Sequence, residues 1–543
     1  MFLVAILALA SLVACATDGS GPGDAPPASP AGGDRLVFGD TVEPTTLNCI
    51  RSAERPTRQI CRLVADSLID YDQHFNMIPR LAESFEVSPD GLAITLHLRR
   101  HVRWQDGEPF DARDVRYTID LMKRLDPDQK TYRTYFGPLQ EVIAVDAYTI
   151  RAVYTEPFRD ALIGWRELFI MPAHLPFDPT RPSPLDRAPV GTGPFRFVRW
   201  DPQQQIVLEA NPDYFGPRPF VQRYVQRIIP TMDGLRAAAV AGVVDVAPLS
   251  PDWFDDRRAN DPDLPFRVLT YPTSLMEMIY WNLDEPRGLF RDPRVRRALT
   301  MLLDREGYIS KIQHGIYRTC TTLIDPLLWG GDPDLRPYPY DPAGAARLLD
   351  EAGIIDQDGD GVRDTPRGPM SFTLIYTTAT PAHRDIGILL ERAAARVGIR
   401  VHLQGLEWAI MKPRVYAHDF EAAVYRWRLE PRPDPYAYFH SSQIDAGFNL
   451  GNYRGNHFDR LSEELRRTTD PEVSAALLVR LQKILHEDQP CTFVAIPGSV
   501  LAIHKRFRIP ALTPAGLWNW YPALLKWTIP GADREDGRGA QRR

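Results

Sequence analysis

The hydrophobic pattern between Ser371 and Trp427 changes period in an ordered way. SFTLIYT, from Ser371, reads as a strand, and PAHRDIGILLERAAARVG reads as a helix ending at Gly398. IRVHLQ, from Ile399, returns to a strand, and FEAAVYRW, from Phe420 to Trp427, reads as a further one. A strand–helix–strand unit of this kind predicts a right-handed crossover over a parallel sheet. Elsewhere, AITLHLR places Ile94, Leu96 and Leu98 on one face and Thr95, His97 and Arg99 on the other, the period of a half-buried strand. A Pro89-Asp90-Gly91 turn precedes it. Helix starts are legible as acid–proline pairs at Asp292-Pro293, Asp341-Pro342 and Asp470-Pro471, an N-cap acid followed by proline in the first turn. Behind the first of these, Val295, Ala298, Leu299, Leu302 and Leu303 form an apolar stripe at helical spacing. Asp111 likewise caps a helix carrying Val115, Ile119 and Met122.

The segment WRLEPRPDPYAYF, Trp427 to Phe439, fits neither period. Pro431, Pro433 and Pro435 remove helix donors and exclude a central strand. It follows the strand 420–427 at its carboxyl end, where open α/β sheets bind their ligands. Its aromatic surface is therefore a candidate ligand wall.

Composition then narrows the class. A chain of 543 residues exceeds the roughly 250–300 at which single cores stop growing, so two or more lobes are expected. Hydrophobic residues at 44% and charged residues at 25% are globular values. A net charge of −6 gives no basic footprint for nucleic acid. The 50 prolines are nearly twice the usual share of about 5%, and with 10% aromatic residues they imply fixed turns rather than disorder.

The opening MFLVAILALASLVAC holds thirteen uncharged residues, Phe2 to Ala14, too few for a bilayer span of about 20. Residues 1–14 read as a signal peptide, although the basic start is missing, which points to an upstream start or an atypical export signal. Leu12-Val13-Ala14-Cys15 resembles the lipobox of bacterial lipoproteins, in which the cysteine is lipidated after cleavage; an ordinary signal peptide containing Cys15 is the alternative. Residues 15–34 are small, polar and rich in Gly and Pro, as expected of a flexible tether. The tail 531–543 is polar and reads as disordered. Four further cysteines in an exported chain suggest two disulfides, with Cys49–Cys61 favoured by proximity in sequence and Cys320–Cys491 by default. Three connectivities exist, and buried thiols are the alternative.

Enzyme signatures are absent: no GxSxG, HExxH or GxxxxGK[ST] occurs. Gly191-Thr192-Gly193-Pro194 starts like a dinucleotide fingerprint but lacks the third glycine. No catalytic residue and no required cofactor is expected. DQDGDGVRD, Asp356 to Asp364, is the one loud metal pattern. Asp356, Asp358, Asp360, Gly361 and Asp364 match positions 1, 3, 5, 6 and 9 of a calcium loop, but Arg367 stands where a bidentate Glu belongs. Either a structural Ca²⁺ or a polar turn accounts for it.

Several segments together resemble the bacterial extracellular solute-binding proteins of the peptide/dipeptide/nickel type, receptors of ABC importers. They are LAESFEVSPDGLAITLHLRRHVRWQDGEPFDARDVRYTID from Leu81, PVGTGPFRF from Pro189, DPRVRRALTMLLDRE from Asp292, the 341–364 helix and turn, and NHFDRLSEELRR through LQKILHEDQP. The resemblance implies an α/β, periplasmic-binding-protein-like clamshell of two lobes joined by a hinge, with an extra small α+β domain. It places lobe one at 35–75, 188–275 and 492–530, the small domain at 76–187 and lobe two at 276–491. It implies no catalysis. It also implies a monomer, exported and lipid-anchored to a bacterial membrane, that partners permease subunits.

In peptide-binding members an acid shortly after a Trp accepts the ligand's α-ammonium, and Glu430 stands three residues after Trp427. Asp434-Pro435 matches the family's next acid–proline pair with one extra residue between. Glu430 has a second fate open to it, a salt bridge with Arg426, Arg428 or Arg432. Further wall candidates are Tyr280 and Asn282, where the chain enters the second lobe, and Trp408, after the strand 399–404. The function implied is capture of a short peptide for import. A non-peptide solute (oligosaccharide, opine or metal chelate) and a non-transport sensor or chaperone are the alternatives.

Overall fold

A computed structural model describes residues 35–52, 54–72, 76–124, 135–158, 160–253, 261–324, 330–429, 434–468, 470–509 and 527–528. The signal peptide, the tether with Cys15 and the tail lie outside the described residues. Among the described residues, no helix is long and apolar enough to cross a membrane.

Two large sheets organise the chain. A seven-stranded sheet runs in the order Phe266–Pro272, Gly498–His504, Val246–Leu249, Arg35–Asp40, Arg223–Ile228, Gln205–Ala210 and Phe195–Asp201. A six-stranded sheet runs Arg318–Thr319, Cys491–Ile496, Leu275–Trp281, Ala422–Arg428, Ser371–Thr377 and Arg400–Leu406. In the second, Ser371–Thr377 pairs in parallel with both Arg400–Leu406 and Ala422–Arg428. Helix Pro381–Ala395 makes the crossover, as the pattern predicted. A four-stranded antiparallel sheet, Ala82–Val87, Ala93–Leu98, Thr149–Tyr154 and Leu139–Asp146, forms a smaller body with helix Ala112–Arg124. Ile94, Leu96 and Leu98 point into its core with Val115 and Ile119 of that helix.

The acid–proline pairs are working caps. Asp292 accepts from the Arg294 N–H, Asp341 from Gly344, and Asp470 from Glu472 and Val473. Each satisfies donors that a helix start otherwise leaves open.

Two adjacent crossings join the large sheets. Strand Phe266–Pro272 of the first leads through Thr273 and Ser274 into Leu275–Trp281 of the second, and Cys491–Ile496 returns through Pro497 into Gly498–His504. The crossings are tied together: the Thr273 N–H and hydroxyl both donate to the Pro497 carbonyl, at 3.1 and 2.6 Å. The chain thus re-enters the seven-stranded sheet at Pro497 rather than at 492, because Cys491–Ile496 pairs with Leu275–Trp281. Gly498 is required there, since a Cβ would lie 2.2 Å from the Ile316 carbonyl oxygen.

Cys49 and Cys61 form a disulfide with Cα atoms 5.5 Å apart. The second expected bridge is corrected: Cys320 and Cys491 are buried thiols. Both sit in the core beside the six-stranded sheet, and the Cys491 sulfur points at the Met278 sulfur, 4.0 Å away. Burial, then the neighbouring Cys320, pushes the Cys491 thiol well above its ordinary value. It is therefore held as the unreactive protonated form. The Gly191-Thr192-Gly193 run also has a structural reason. A Cβ at Gly191 or Gly193 would strike the backbone of Val64, whose carbonyl accepts the Gly193 N–H at 2.8 Å.

Candidate functional site

Strand Ala422–Arg428 divides its last four residues between two faces. Tyr425 and Trp427 lie on one, Arg426 and Arg428 on the other, as strand alternation requires. On the first face an aromatic wall assembles. The Trp408 ring stands 5.6 Å from Tyr425, Tyr425 stands 5.0 Å from Trp427, and Trp427 lies 4.9 Å from Phe448 and 5.3 Å from Tyr438. Trp427 is half-buried and its indole N–H donates to the Tyr280 hydroxyl at 2.7 Å. Tyr280 itself is buried, so it anchors the wall from behind. Trp408 begins helix Trp408–Tyr416 at the carboxyl end of Arg400–Leu406 and is 41% exposed. It is the wall residue with apolar surface to offer a ligand.

The remaining predicted residues separate. Asn282 is buried near the opposite end of the sheet, because Trp281 pairs with Ala422, at the start of the strand that ends beyond Trp427. Its amide donates to the His418 and Phe420 carbonyls and its oxygen accepts from Asn452 and the Asp284 N–H. The structure does not bring it to the wall. Asp434 caps helix Pro435–Phe439 by accepting from the Tyr436 N–H, and pairs with Arg466 at 3.3 Å. Arg466 is stacked between the rings of Phe158 and Tyr436, 4.7 and 4.4 Å from their centroids. Asp434 thus has a structural task in this geometry. Glu430 and Arg432 lie outside the described residues. Of the three arginines near Glu430 in sequence, Arg426 forms an ion pair with the buried Glu277.

The acidic turn partly gathers. Single carboxylate oxygens of Asp356, Asp358 and Asp364 lie within 4.8 Å of one another. Asp360 instead accepts from the Val362 N–H, and Asp356 accepts from Gly359 and Gly361. These bonds hold the loop's shape with the chain's own donors.

A basic array escaped the sequence pattern. Arg58, Arg62 and Arg166 surround Glu167 and Asp70, from helices Arg55–Val64 and Ala161–Glu167 and strand Ile69–Tyr71. The one-dimensional signal was the spacing Arg55, Arg58, Arg62, which puts three cations along one side of a helix.

Comparison with known proteins follows this geometry. The family model for bacterial extracellular solute-binding proteins, family 5 (middle), matches residues 76–449. The oligopeptide-binding protein AppA of Bacillus subtilis (strain 168) is 30% identical over 487 residues, 87% of this chain and 88% of that protein. The solved structure of Bacillus subtilis AppA with a nonapeptide superposes with a TM-score of 0.77 at 27% identity, covering 92% of this chain and 99% of that one. NikZ from Campylobacter jejuni with Ni(L-His) superposes at 0.78 with 22% identity, over 92% and 100% of the two chains, a likeness of fold.

Proposed function

The chain belongs to the bacterial extracellular solute-binding proteins of family 5, and on that premise we propose that it is the receptor of an ABC importer that captures a short peptide. The peptide is trapped between the two lobes and passed to a membrane permease. The protein is exported and performs no catalysis. The observation that carries the reading is the aromatic wall Trp408–Tyr425–Trp427, standing toward the carboxyl ends of the parallel strands Arg400–Leu406 and Ala422–Arg428, the second of which ends beside the hinge residue Ser274. A ligand that touches both lobes favours the closed state by the contacts it makes only there. Mass spectrometry of ligand released from natively purified protein tests it. Peptides are the expected cargo, and a sugar, opine or metal chelate would sink the peptide reading while keeping the receptor role.

We extend the proposal to the termini and the acidic turn. Cys15 carries a lipid anchor, residues 15–34 are the tether, and the receptor works as a monomer. Cys15→Ala is expected to move the protein from the membrane fraction to the soluble one. Glu430 receives the peptide's ammonium, a charge-assisted hydrogen bond of the strong class. The lobe boundaries 35–75, 188–275, 276–491 and 492–530 stand in this proposal, with the return crossing shifted to Pro497. A calcium ion at Asp356, Asp358 and Asp364, with Asp360 turning to join, has a structural role only. Its test is a rise in Tm on adding calcium that Asp358→Asn abolishes.

A further inference from the structure

The small domain is bound to the seven-stranded lobe. Its Gln105 side chain donates to the carbonyls of Val64, Gly193 and Phe195 at 3.1, 3.2 and 2.8 Å, and Val64 and Phe195 belong to that lobe's core. The Ile170 N–H donates to the Asp66 carbonyl, and Ile50, Leu68 and Ile69 pack into the small domain's own core. The two are therefore one body in any turn about the crossings at Ser274 and Pro497. A contact from the small domain to the six-stranded lobe, made away from those crossings, is one that opening must disturb.

Such a contact stands at the end of helix Asn456–Arg467. Phe158 lies in the small domain's core, and the Arg466 guanidinium sits 4.7 Å from its ring centroid and 4.4 Å from that of Tyr436. One cation is thus shared by a ring from each body. Arg467, the next residue, pairs with Glu156 at 3.4 Å. Both arginines occupy the last turn of their helix, where the free carbonyls favour positive charge. Leu461 and Leu465 of the same helix are buried in the six-stranded lobe, which fixes the pair to that lobe.

The same guanidinium reaches the ligand-wall segment. Asp434 and Tyr436 both belong to Trp427–Phe439, and Asp434 pairs with Arg466 at 3.3 Å. Asp434 also caps helix Pro435–Phe439, in which Tyr438 stands 5.3 Å from Trp427. Order in the wall and the meeting of the two bodies therefore depend on one side chain.

The two arginines contribute unequally. Glu156 and Arg467 are about half exposed, and such pairs add little in water. The Arg466 side chain keeps 18% of its surface and Asp434 7%, so its ring contacts are largely desolvated and count for more. Opening would also wet Phe158, part of an apolar core.

We propose that Arg466 is a positioning residue: with Phe158, Tyr436 and Asp434 it clips the small domain to the ligand-wall segment and supplies part of the closed state's stability from within the chain. This rests on the reading of the protein as a closing receptor and holds for any cargo. The ligand then contributes only the remainder, because closure is biased before it arrives.

Spin labels test the clip, one in the small domain at Val87→Cys and one in the six-stranded lobe at Val473→Cys, both exposed sites. The mature chain carries Cys15→Ala as well, and Cys320 and Cys491 are buried, so the introduced thiols are the ones that react. Double electron–electron resonance reads the distance distribution without ligand and with synthetic peptide pools. Arg466→Gln is expected to cut the ligand-free share of the closed distance at least about threefold. Arg466→Lys, which keeps the charge and loses the planar face, is expected to fall between it and wild type. Glu156→Arg is expected to cut that share about twofold, and adding Arg467→Glu to restore it. A merely structural Arg466 would lower Tm and leave the distribution of the folded protein unchanged. If no variant alters the distribution while the peptide pools do, the clip is overturned and the receptor reading survives. If a single distance persists in every protein with and without peptide, both fall together.

Discussion

Glu277 and Arg426 are register partners on neighbouring strands, and their side chains close an ion pair inside the six-stranded lobe. Glu277 has no exposed surface and accepts a further hydrogen bond from the Tyr308 hydroxyl at 2.9 Å. The pair lies three residues from the hinge residue Ser274 and on the face opposite Trp427. It takes one of the three arginines near Glu430 in sequence out of contention for ligand.

Removing one partner leaves a charge in a poor solvent. Glu277→Ala is expected to cost about 3–5 kcal/mol in urea unfolding. Glu277→Met with Arg426→Met is expected to recover most of that, because two apolar groups need no counter-charge. Equal losses for the single and double variants would mean that packing, not charge, holds the site.

Trp408 offers a cleaner test of the ligand wall. At 41% exposure it contributes little to the core. Trp408→Ala is expected to leave Tm nearly unchanged and to weaken peptide binding by about 1–3 kcal/mol, the loss seen for an aromatic anchor. Unchanged affinity would remove Trp408 from the wall.

His383 carries a pH dependence. It is buried, neither ring nitrogen has a hydrogen-bond partner among the described residues, and burial, then the charge of Arg426, lowers it from 6.5 to about 3. The folded protein keeps this imidazole neutral where the unfolded chain already protonates it. Stability therefore falls as pH drops from 6.5 toward about 3, by up to about 1.4 kcal/mol per pH unit, and is untouched above 6.5. His383→Leu is expected to flatten that part of the Tm–pH curve. A curve parallel to wild type between pH 6 and 4 would show that other groups dominate.

At the hinge, Gly498→Ala puts a methyl 2.2 Å from the Ile316 carbonyl oxygen, and backbone cannot yield as a side-chain end can. A loss of about 1–3 kcal/mol is expected, the usual range for overpacking. Slower closure in stopped-flow tryptophan fluorescence should accompany it.

Local chemistry was readable in advance; remote pairing was not. Asp292, Asp341 and Asp470 announce their helices because cap and proline act within one turn. The strand–helix–strand unit 371–406 shows because its periods follow one another along the chain. Cys491–Ile496 was harder. It is mostly hydrophobic, buried throughout and fits either sheet, and only its partner, Leu275–Trp281, two hundred residues earlier, decides. The same distance hid the link from Trp427 to Tyr280. It also hid the basic array, whose members come from 55–62, 70 and 166–167 and become a cluster only in space. The default pairing of Cys320 with Cys491 failed for a related reason: an even count says nothing about which sulfur faces which.

The paired crossings at Thr273-Ser274 and Pro497 have a practical corollary. Backbone leaves one lobe and returns beside itself, so relative motion of the lobes needs dihedral changes in a few residues and no rupture of either sheet's ladder. Such a joint is compliant in one direction and stiff in the others. A single pair of fluorophores, one on each lobe, would then report occupancy along one distance, making the protein a natural sensor element for whatever it carries.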